Sequence, residues 1–113
     1  MKGKTENLHP ELTSILLALE EAMGFELTVT SGYRTPEHNR DPKVGGVEGS
    51  EHTNQPAEGA DVLCKQATTR YQMKKWLYLH DVRRIGTGKD FIHVGIAEDK
   101  PQFVEWHYYP KEA

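Results

Sequence analysis

The feature that most constrains the fold is a long segment without periodicity, residues 35–56, which lies between segments that are strongly periodic. It is rich in Gly, Pro, Asn and charged residues. A structureless stretch of this length is uncommon in a compact domain, and where it occurs it usually carries function. We therefore expect residues 35–56 to form the rim of a site on a scaffold made by the periodic segments.

The periodic segments predict two helices and five strands. In residues 10–23, apolar side chains recur every three or four positions, with Pro10 in the first turn and Gly24 beyond the end, as in an amphipathic helix. A second helix is predicted over residues 68–79. Alternating or β-branched segments predict strands at residues 26–30, 59–64, 83–86, 91–96 and 103–108. This order predicts an α+β domain in which helices flank a small, mainly antiparallel sheet.

Length and charge narrow the class of protein. The chain has 113 residues, enough for one hydrophobic core, so residues 1–113 are expected to form a single domain. The formal net charge of −3 argues against a nucleic-acid partner. The apolar run at residues 15–19 is far shorter than the roughly 20 residues of a membrane-spanning helix, and the charged residues 1–6 lack a secretory signal. We expect a monomer that is cytoplasmic when synthesised and does not insert into membranes.

Two histidines and an aspartate occur where a metal site would need them. His52 lies in the polar segment, and Asp61 and His93 each enter a predicted strand, so that strand ends could bring the three side chains together. Catalytic zinc takes three protein ligands of N or O type and keeps a fourth position for water. A single carboxylate leaves the site a net positive charge that acidifies this water. The residues therefore predict one zinc ion per chain, held by His52, Asp61 and His93.

Asp90 is a candidate acid/base for the same site. It precedes His93 by three positions, so on a regular strand the two side chains would point to opposite faces. If both serve one site, Asp90 lies in the turn that Thr87, Gly88 and Lys89 make plausible. From there its carboxylate could act as general base towards the water and then protonate the departing amine.

Four motifs together resemble those of the M15 zinc peptidases. They are Ser31-Gly32-Tyr33-Arg34, Ser50-Glu51-His52, Glu58-Gly59-Ala60-Asp61-Val62 and Asp90-Phe91-Ile92-His93-Val94. That family includes D-alanyl-D-alanine carboxypeptidases and the L-alanyl-D-glutamate endopeptidases of phage endolysins, and the resemblance spans about residues 10–108. It implies a hedgehog/DD-peptidase-like fold, zinc on the His/Asp/His set, an acid/base role for Asp90, and contact of Arg34 and Ser50 with the peptide substrate.

Two details of the motifs bear on the substrate. The first histidine of the family usually precedes the aspartate by seven positions, whereas His52 and Asp61 are nine apart, which indicates a two-residue insertion within residues 53–56. The acid/base residue is glutamate in the carboxypeptidase and dipeptidase branches and aspartate in the L-alanyl-D-glutamate branch. Asp90 therefore favours an L-alanyl-D-glutamate endopeptidase that acts on peptidoglycan stem peptides.

Other residues give weaker signals. Arg34 follows a predicted strand, and its planar guanidinium suits a peptide carboxylate or a developing oxyanion. Alternation along the last strand separates His107, a candidate for the cleft, from Trp106 and Tyr108, which are expected in the core. The single cysteine, Cys64, ends an apolar segment and is expected to be a buried thiol without a reactive role.

Three alternatives remain. A D-alanyl-D-alanine carboxypeptidase or dipeptidase would use the same centre on another bond. A zinc-stabilised binding module would keep the metal without catalysis, although Asp90 beside His93 speaks against it. A metal-dependent nuclease fits poorly with an acidic chain. The chain is also expected to lack a separate cell-wall-binding domain and, like a phage endolysin, to reach the wall after release through a separate pore.

Overall fold

The structure, a computed structural model, describes residues 1–43 and 49–108. Residues 44–48, which belong to the aperiodic segment, and residues 109–113 lie outside the described residues. Along the described chain the elements are β1 (Lys2–Gly3), α1 (Pro10–Met23), β2 (Thr28–Ser31), α2 (Pro36–Arg40), a 3-10 helix (Glu51–Thr53), β3 (Gly59–Leu63), α3 (Ala67–Leu79), β4 (Arg84–Thr87), β5 (Phe91–Gly95) and β6 (Val104–His107).

Helix α1 begins and ends where the sequence predicts. Pro10 occupies the first turn, His9 Nδ1 accepts a hydrogen bond from the backbone N–H of Glu11 at 3.1 Å, and Gly24 ends the helix at φ 80°. A left-handed residue at this position favours glycine, which has no Cβ. The termination of α1 therefore follows from local chemistry.

Three elements were not predicted: β1, α2 and the 3-10 helix within the aperiodic segment. Strand β1 has two residues, too few for alternation to show. Helix α2 lies inside the aperiodic segment, where the Thr35 side chain accepts a hydrogen bond from the His38 N–H at 3.1 Å and Pro36 takes the first helical position. This Thr-Pro start is a local helix signal that the absence of periodicity concealed.

The six described strands form one sheet in the order β1-β2-β3-β5-β4-β6. The pairs β2–β3, β3–β5 and β4–β5 are antiparallel, whereas β1–β2 and β4–β6 are parallel. The α+β class is thus confirmed, and the sheet is mixed. Sequence alternation identifies a strand but carries no information on its direction relative to its neighbour.

The two faces of the sheet have different roles. On one face, Val62 and Ile92 are fully buried in the hydrophobic cluster that includes Leu16 of α1 and Met73 of α3. The side chains of Asp61 and His93 alternate with these residues and project from the other face. The helices therefore cover one face and leave the other for the site. No helix in the described part of the chain is long and apolar enough to cross a membrane.

Candidate metal centre

The centre is built on the face of the sheet rather than at strand ends. Asp61 on β3 and His93 on β5 are direct partners in the antiparallel ladder, and Gly86 on β4 is the next residue in this row. Both side chains therefore stand near the middle of their strands, which corrects the expectation that strand ends converge. Cross-strand partners have Cβ atoms about 5 Å apart, close enough to share one ion.

His52 reaches the same row from the 3-10 helix. Ser50 caps this helix, since its Oγ accepts a hydrogen bond from the His52 N–H at 3.2 Å. The His52 carbonyl accepts from the Arg34 N–H at 2.9 Å, and Glu58 N–H donates to the Glu51 carbonyl at 3.1 Å. These bonds tie the turn to the ends of β2 and β3, so the nine-residue spacing between His52 and Asp61 still brings the two side chains together.

The three ligand atoms lie close enough for one metal ion. His93 Nδ1 is 2.9 Å and His52 Nε2 is 3.3 Å from Asp61 Oδ1, and all three candidate ligand atoms lie within 4.8 Å of one another. Ligands at zinc distances in a tetrahedron are roughly 3.4 Å apart. His52, Asp61 and His93 are all buried. The set thus fits the zinc predicted from the sequence.

The far nitrogen of each imidazole has an acceptor behind it. His52 Nδ1 lies 2.7 Å from the Gly32 carbonyl oxygen, and His93 Nε2 lies 2.5 Å from Glu51 Oε2. Carbonyl and carboxylate oxygens only accept, so these two nitrogens carry the protons. The lone pairs of His52 Nε2 and His93 Nδ1 are then directed towards Asp61. Metal-binding histidines are held in this way.

The electrostatics of the centre favour a cation. Burial disfavours the Asp61 carboxylate, but its contacts with the His52 and His93 side chains outweigh burial and hold the pKa of Asp61 well below its usual range. Burial likewise disfavours a charged His93, yet its contacts with Asp61 and Glu51 raise the pKa of His93. The carboxylates of Asp61 and Glu51 therefore both favour positive charge at the buried His93 ring, and a bound metal ion would supply positive charge at this place.

Arg34 stands beside the centre with its guanidinium held in place. Its Nη2 is 3.6 Å from Asp61 Oδ2, its Nε donates to Ser31 Oγ at 3.0 Å, and its Nη1 donates to Asn39 Oδ1 at 2.9 Å. Asn39 is itself buried on α2. Helix α2, which was not predicted, thus helps to orient Arg34, the residue for which the motifs imply contact with the substrate.

A cavity of about 770 Å³ opens over the centre. Ser50 and His107 both line it, and their contact with a substrate stays a prediction. Trp106 and Tyr108 line it as well, so the prediction that they belong to the core was wrong. Gly86 explains this outcome, because a Cβ at Gly86 would overlap both rings. The two aromatics lie over the bare backbone of β4 and form a wall of the cavity.

Asp90 is not brought to the centre. It is exposed in a bend just before β5, where its carbonyl accepts a hydrogen bond from the Cys64 N–H at 2.7 Å. Three residues of extended chain separate it from His93, roughly 10 Å. Among the described residues that line the cavity, the carboxylates are Glu51 and Asp61. The catalytic role of Asp90 stays a prediction.

Sequence reasoning missed Glu51 and Arg84. Both are buried, and Arg84 Nε lies 3.2 Å from Glu51 Oε1. One signal was available: Arg84 is a charged residue next to Ile85 in a short apolar strand, a position that requires a buried partner. The partner is 33 positions away in the chain, and no local pattern identifies it.

The geometry defines a class of protein: a sheet that carries a buried His/Asp/His centre able to hold a metal ion, with an arginine beside it. A family model described as Peptidase M15 matches residues 2–95, and the chain belongs to that peptidase family. The resemblance seen in the motifs is thereby confirmed at the level of the family, which depends on zinc in general. No curated protein and no solved structure matches the chain significantly.

Proposed function

We propose that this protein is a zinc peptidase that cleaves peptidoglycan stem peptides, with one zinc ion per chain on His52, Asp61 and His93. The observation that carries the proposal is the orientation of the two imidazoles. Each has its far nitrogen occupied by an acceptor, and each directs its other nitrogen towards Asp61. Two neutral imidazoles and one carboxylate leave zinc a net positive charge, as in catalytic sites with three protein ligands.

The chain supplies the groups that bind and orient a peptide. Zinc, when bound, polarises a carbonyl and lowers the pKa of a water. Arg34 would donate from its rigid guanidinium to the developing oxyanion or to a substrate carboxylate. Ser50 and His107, which line the same cavity, would contact the substrate backbone. Burial of the three ligands removes them from competing water and strengthens the interactions among these charges.

The acid/base role of Asp90 is proposed from the resemblance alone. The family places its acid at this position of the motif, whereas the Asp90 side chain here is exposed and outside the cavity. Catalysis by Asp90 would therefore require the bend at Lys89 and Asp90 to turn inwards when the peptide binds. Hydrogen bonds to a reacting group often tighten only in the complex.

For the bond, we propose the L-alanyl-D-glutamate linkage. The L-alanyl-D-glutamate branch carries aspartate at the position of Asp90. The open cavity suits cleavage of a bond within the peptide rather than at its end. Four cations line the cavity, Lys4, Arg34, Arg84 and Lys100, and their excess over the lining carboxylates Glu51 and Asp61 suits an acidic stem peptide. Cleavage of terminal D-alanine by a carboxypeptidase or dipeptidase is the alternative within the family.

Two measurements test the proposal. Metal analysis of the purified chain should find one zinc ion, and His52→Ala and His93→Ala should each lose it, with Lys75→Gln on α3 as the control. Digestion of defined muropeptides followed by mass spectrometry should release the stem from L-alanine and leave terminal D-alanine attached. Release of D-alanine or D-alanyl-D-alanine would assign the alternative branch, while stoichiometric zinc in either histidine variant would remove that residue from the ligands.

A second candidate function is supported by the exposed position of Asp90. A zinc-stabilised module that binds stem peptides without cleaving them needs the metal centre and the cationic cavity but no acid/base. Zinc-loaded protein that binds muropeptides in calorimetry and leaves their masses unchanged would establish this function. Turnover of any stem-peptide bond would exclude it.

A further inference from the structure

Glu51 is a buried carboxylate to which the proposed mechanism gives no role. Its side chain is 2% exposed, and it is bonded to the buried side chains of His93 and Arg84 and to the backbone of Ala97. Oε2 lies 2.5 Å from His93 Nε2, and Oε1 lies 3.2 Å from both Arg84 Nε and the Ala97 backbone nitrogen. A buried carboxylate is costly unless it is fully paired. The pairing here includes the ring of a candidate zinc ligand.

Two glycines make the space for this carboxylate. Gly59 and Gly95 are partners in the β3–β5 ladder, next to the row that carries Asp61 and His93. A Cβ on Gly95 would overlap the Glu51 carboxylate, and a Cβ on Gly59 would overlap Glu51 Cγ and His93 Cε1. The sheet therefore contains a slot, bare of side chains, into which Glu51 folds behind the His93 ring.

Arg84 completes the slot and balances its charge. Arg84 lies on β4 as the ladder partner of Gly95, and its Nε faces both Glu51 oxygens at 3.2 and 3.3 Å. The rest of the guanidinium is also held: Nη1 donates to the Pro101 carbonyl at 2.7 Å, and Cζ lies 5.0 Å from the centre of the Trp106 ring. The Glu51–Arg84 pair has no net charge. Glu51 can therefore accept from His93 without cancelling the positive charge that Asp61 leaves on a bound zinc ion.

We propose that Glu51 is a positioning residue for the metal: it accepts the Nε2–H of His93 and thereby presents Nδ1 to the ion, while Arg84 holds Glu51 in place and neutralises it. The inference rests on the proposed zinc function of the same site. A neutral imidazole carries its proton on either nitrogen, and the form with Nδ1–H cannot bind zinc through Nδ1. An acceptor fixed behind the ring selects the competent form and its orientation.

The test compares two variants that break the same ion pair from opposite sides. Glu51→Gln leaves one oxygen to accept from His93, Arg84 and Ala97, which the two carboxylate oxygens now share. Its amide NH₂ can also face His93 Nε2, where it cannot accept a proton, so we expect zinc affinity to fall by roughly 10- to 100-fold. Arg84→Met removes the guanidinium that holds Glu51 but leaves the carboxylate as the acceptor behind His93, so its zinc affinity should fall less than that of Glu51→Gln. The matched control is Glu58→Gln, half-buried outside the cavity. Affinity is measured by competition with a fluorescent chelator.

A second measurement uses the wild-type protein and needs no variant. In the zinc-loaded, ¹⁵N-labelled chain, long-range ¹H–¹⁵N correlation should find His93 protonated on Nε2 and metal-bound through Nδ1. This readout applies even if a substitution at Glu51 prevents folding.

The possible results distinguish a failure of the role proposed for Glu51 from a failure of the proposed zinc function. Equal zinc affinity in Glu51→Gln and wild type, an equal loss in Glu51→Gln and Arg84→Met, or His93 bound through Nε2 would each overturn the role of Glu51. A wild-type chain that binds no zinc would instead remove the proposed function itself.

Discussion

His52 presents Nε2 to Asp61 whereas His93 presents Nδ1, because in each ring the other nitrogen faces a hydrogen-bond acceptor. The acceptor of His52 is the Gly32 carbonyl behind Nδ1, and that of His93 is Glu51 behind Nε2. The chemistry of the centre thus depends on residues outside the candidate ligand set, here Gly32 and Glu51. Arg34 is another such case, since Ser31 and Asn39 fix it beside Asp61.

Arg34→Lys should lower kcat/KM for a stem peptide by roughly 100-fold or more and leave the zinc content unchanged. Lysine keeps the charge but lacks the fork that bonds to Ser31, Asn39 and the substrate together, and loss of one oxyanion donor has this magnitude. Steady-state kinetics and metal analysis check both parts. Arg40→Lys, exposed on α2, is the control. Unchanged kinetics in Arg34→Lys would place Arg34 outside the mechanism.

Asp90→Asn tests the role that the resemblance assigns to this residue. A lost general base lowers turnover by roughly 100- to 10,000-fold, and zinc content and thermal stability should not change because Asp90 is exposed. Single-turnover kinetics with saturating enzyme measures the chemical step. Turnover near that of the wild type would show that Asp90 takes no part in the reaction, and the zinc centre would stand without it.

At the scale of the element, β3, β5 and β4 act together through their register. One row pairs Gly59, Gly95 and Arg84, and the next row on the same face of the sheet pairs Asp61, His93 and Gly86. The first row surrounds Glu51, the second carries the candidate ligands Asp61 and His93, and the glycines provide the space in both. A slip of one residue in either β3 or β5 would move the candidate ligand of that strand to the core face.

Gly95→Ala should weaken zinc binding about tenfold or more, because its methyl group displaces Glu51 from the slot. Overpacking should also lower the free energy of unfolding by roughly 1–3 kcal/mol. The control is Gly24→Ala, which has open space around it but a φ of 80°, and should lose about 1 kcal/mol by backbone strain without a change in zinc affinity. Chelator competition and thermal unfolding measure the two effects. Wild-type affinity in Gly95→Ala would mean that Glu51 moves without consequence for the metal.

At the scale of the whole molecule, one face of the sheet is closed by α1 and α3 and the other carries the centre and its cavity. Lys4 near the start of the chain and Lys100 near its end both line this cavity. Residues far apart in sequence thus place positive charge around the opening, although the formal net charge of the chain is −3. The cavity is therefore lined by more cationic side chains than carboxylates, whereas the chain as a whole is acidic.

KM for an acidic stem peptide should therefore rise with ionic strength, while kcat changes little. Salt screens exposed charges beyond about 8 Å at physiological concentration, and steering by such charges affects association more than chemistry. Lys100→Gln should raise KM by a small factor and reduce the salt dependence, whereas Lys75→Gln on α3 should do neither. A salt-independent KM would show that the cavity cations do not contact the peptide.

The elements with local signals were predictable. Residues 10–23 form a helix with those bounds, and the predicted strands agree with the observed ones within two residues at each end. His52, Asp61 and His93 were identified from ligand type and motif, and the structure brings them together. Cys64 is buried as expected, and burial raises the pKa of its thiol. These features depend on short-range periodicity, on capping, or on residue chemistry.

Local pattern was thus sufficient for the candidate ligands, for α1, α3 and five of the six described strands, and for the peptidase family, because periodicity and residue type can be read directly from the sequence. Only the tertiary structure decided the rest. The parallel pairing of β6, the placement of Trp106 and Tyr108 in the cavity, and the distance of Asp90 from the centre depend on which strand lies beside which. The Glu51–Arg84 pair behind His93 depends on the same order, since ladder register brings together residues whose separation in sequence carries no signal.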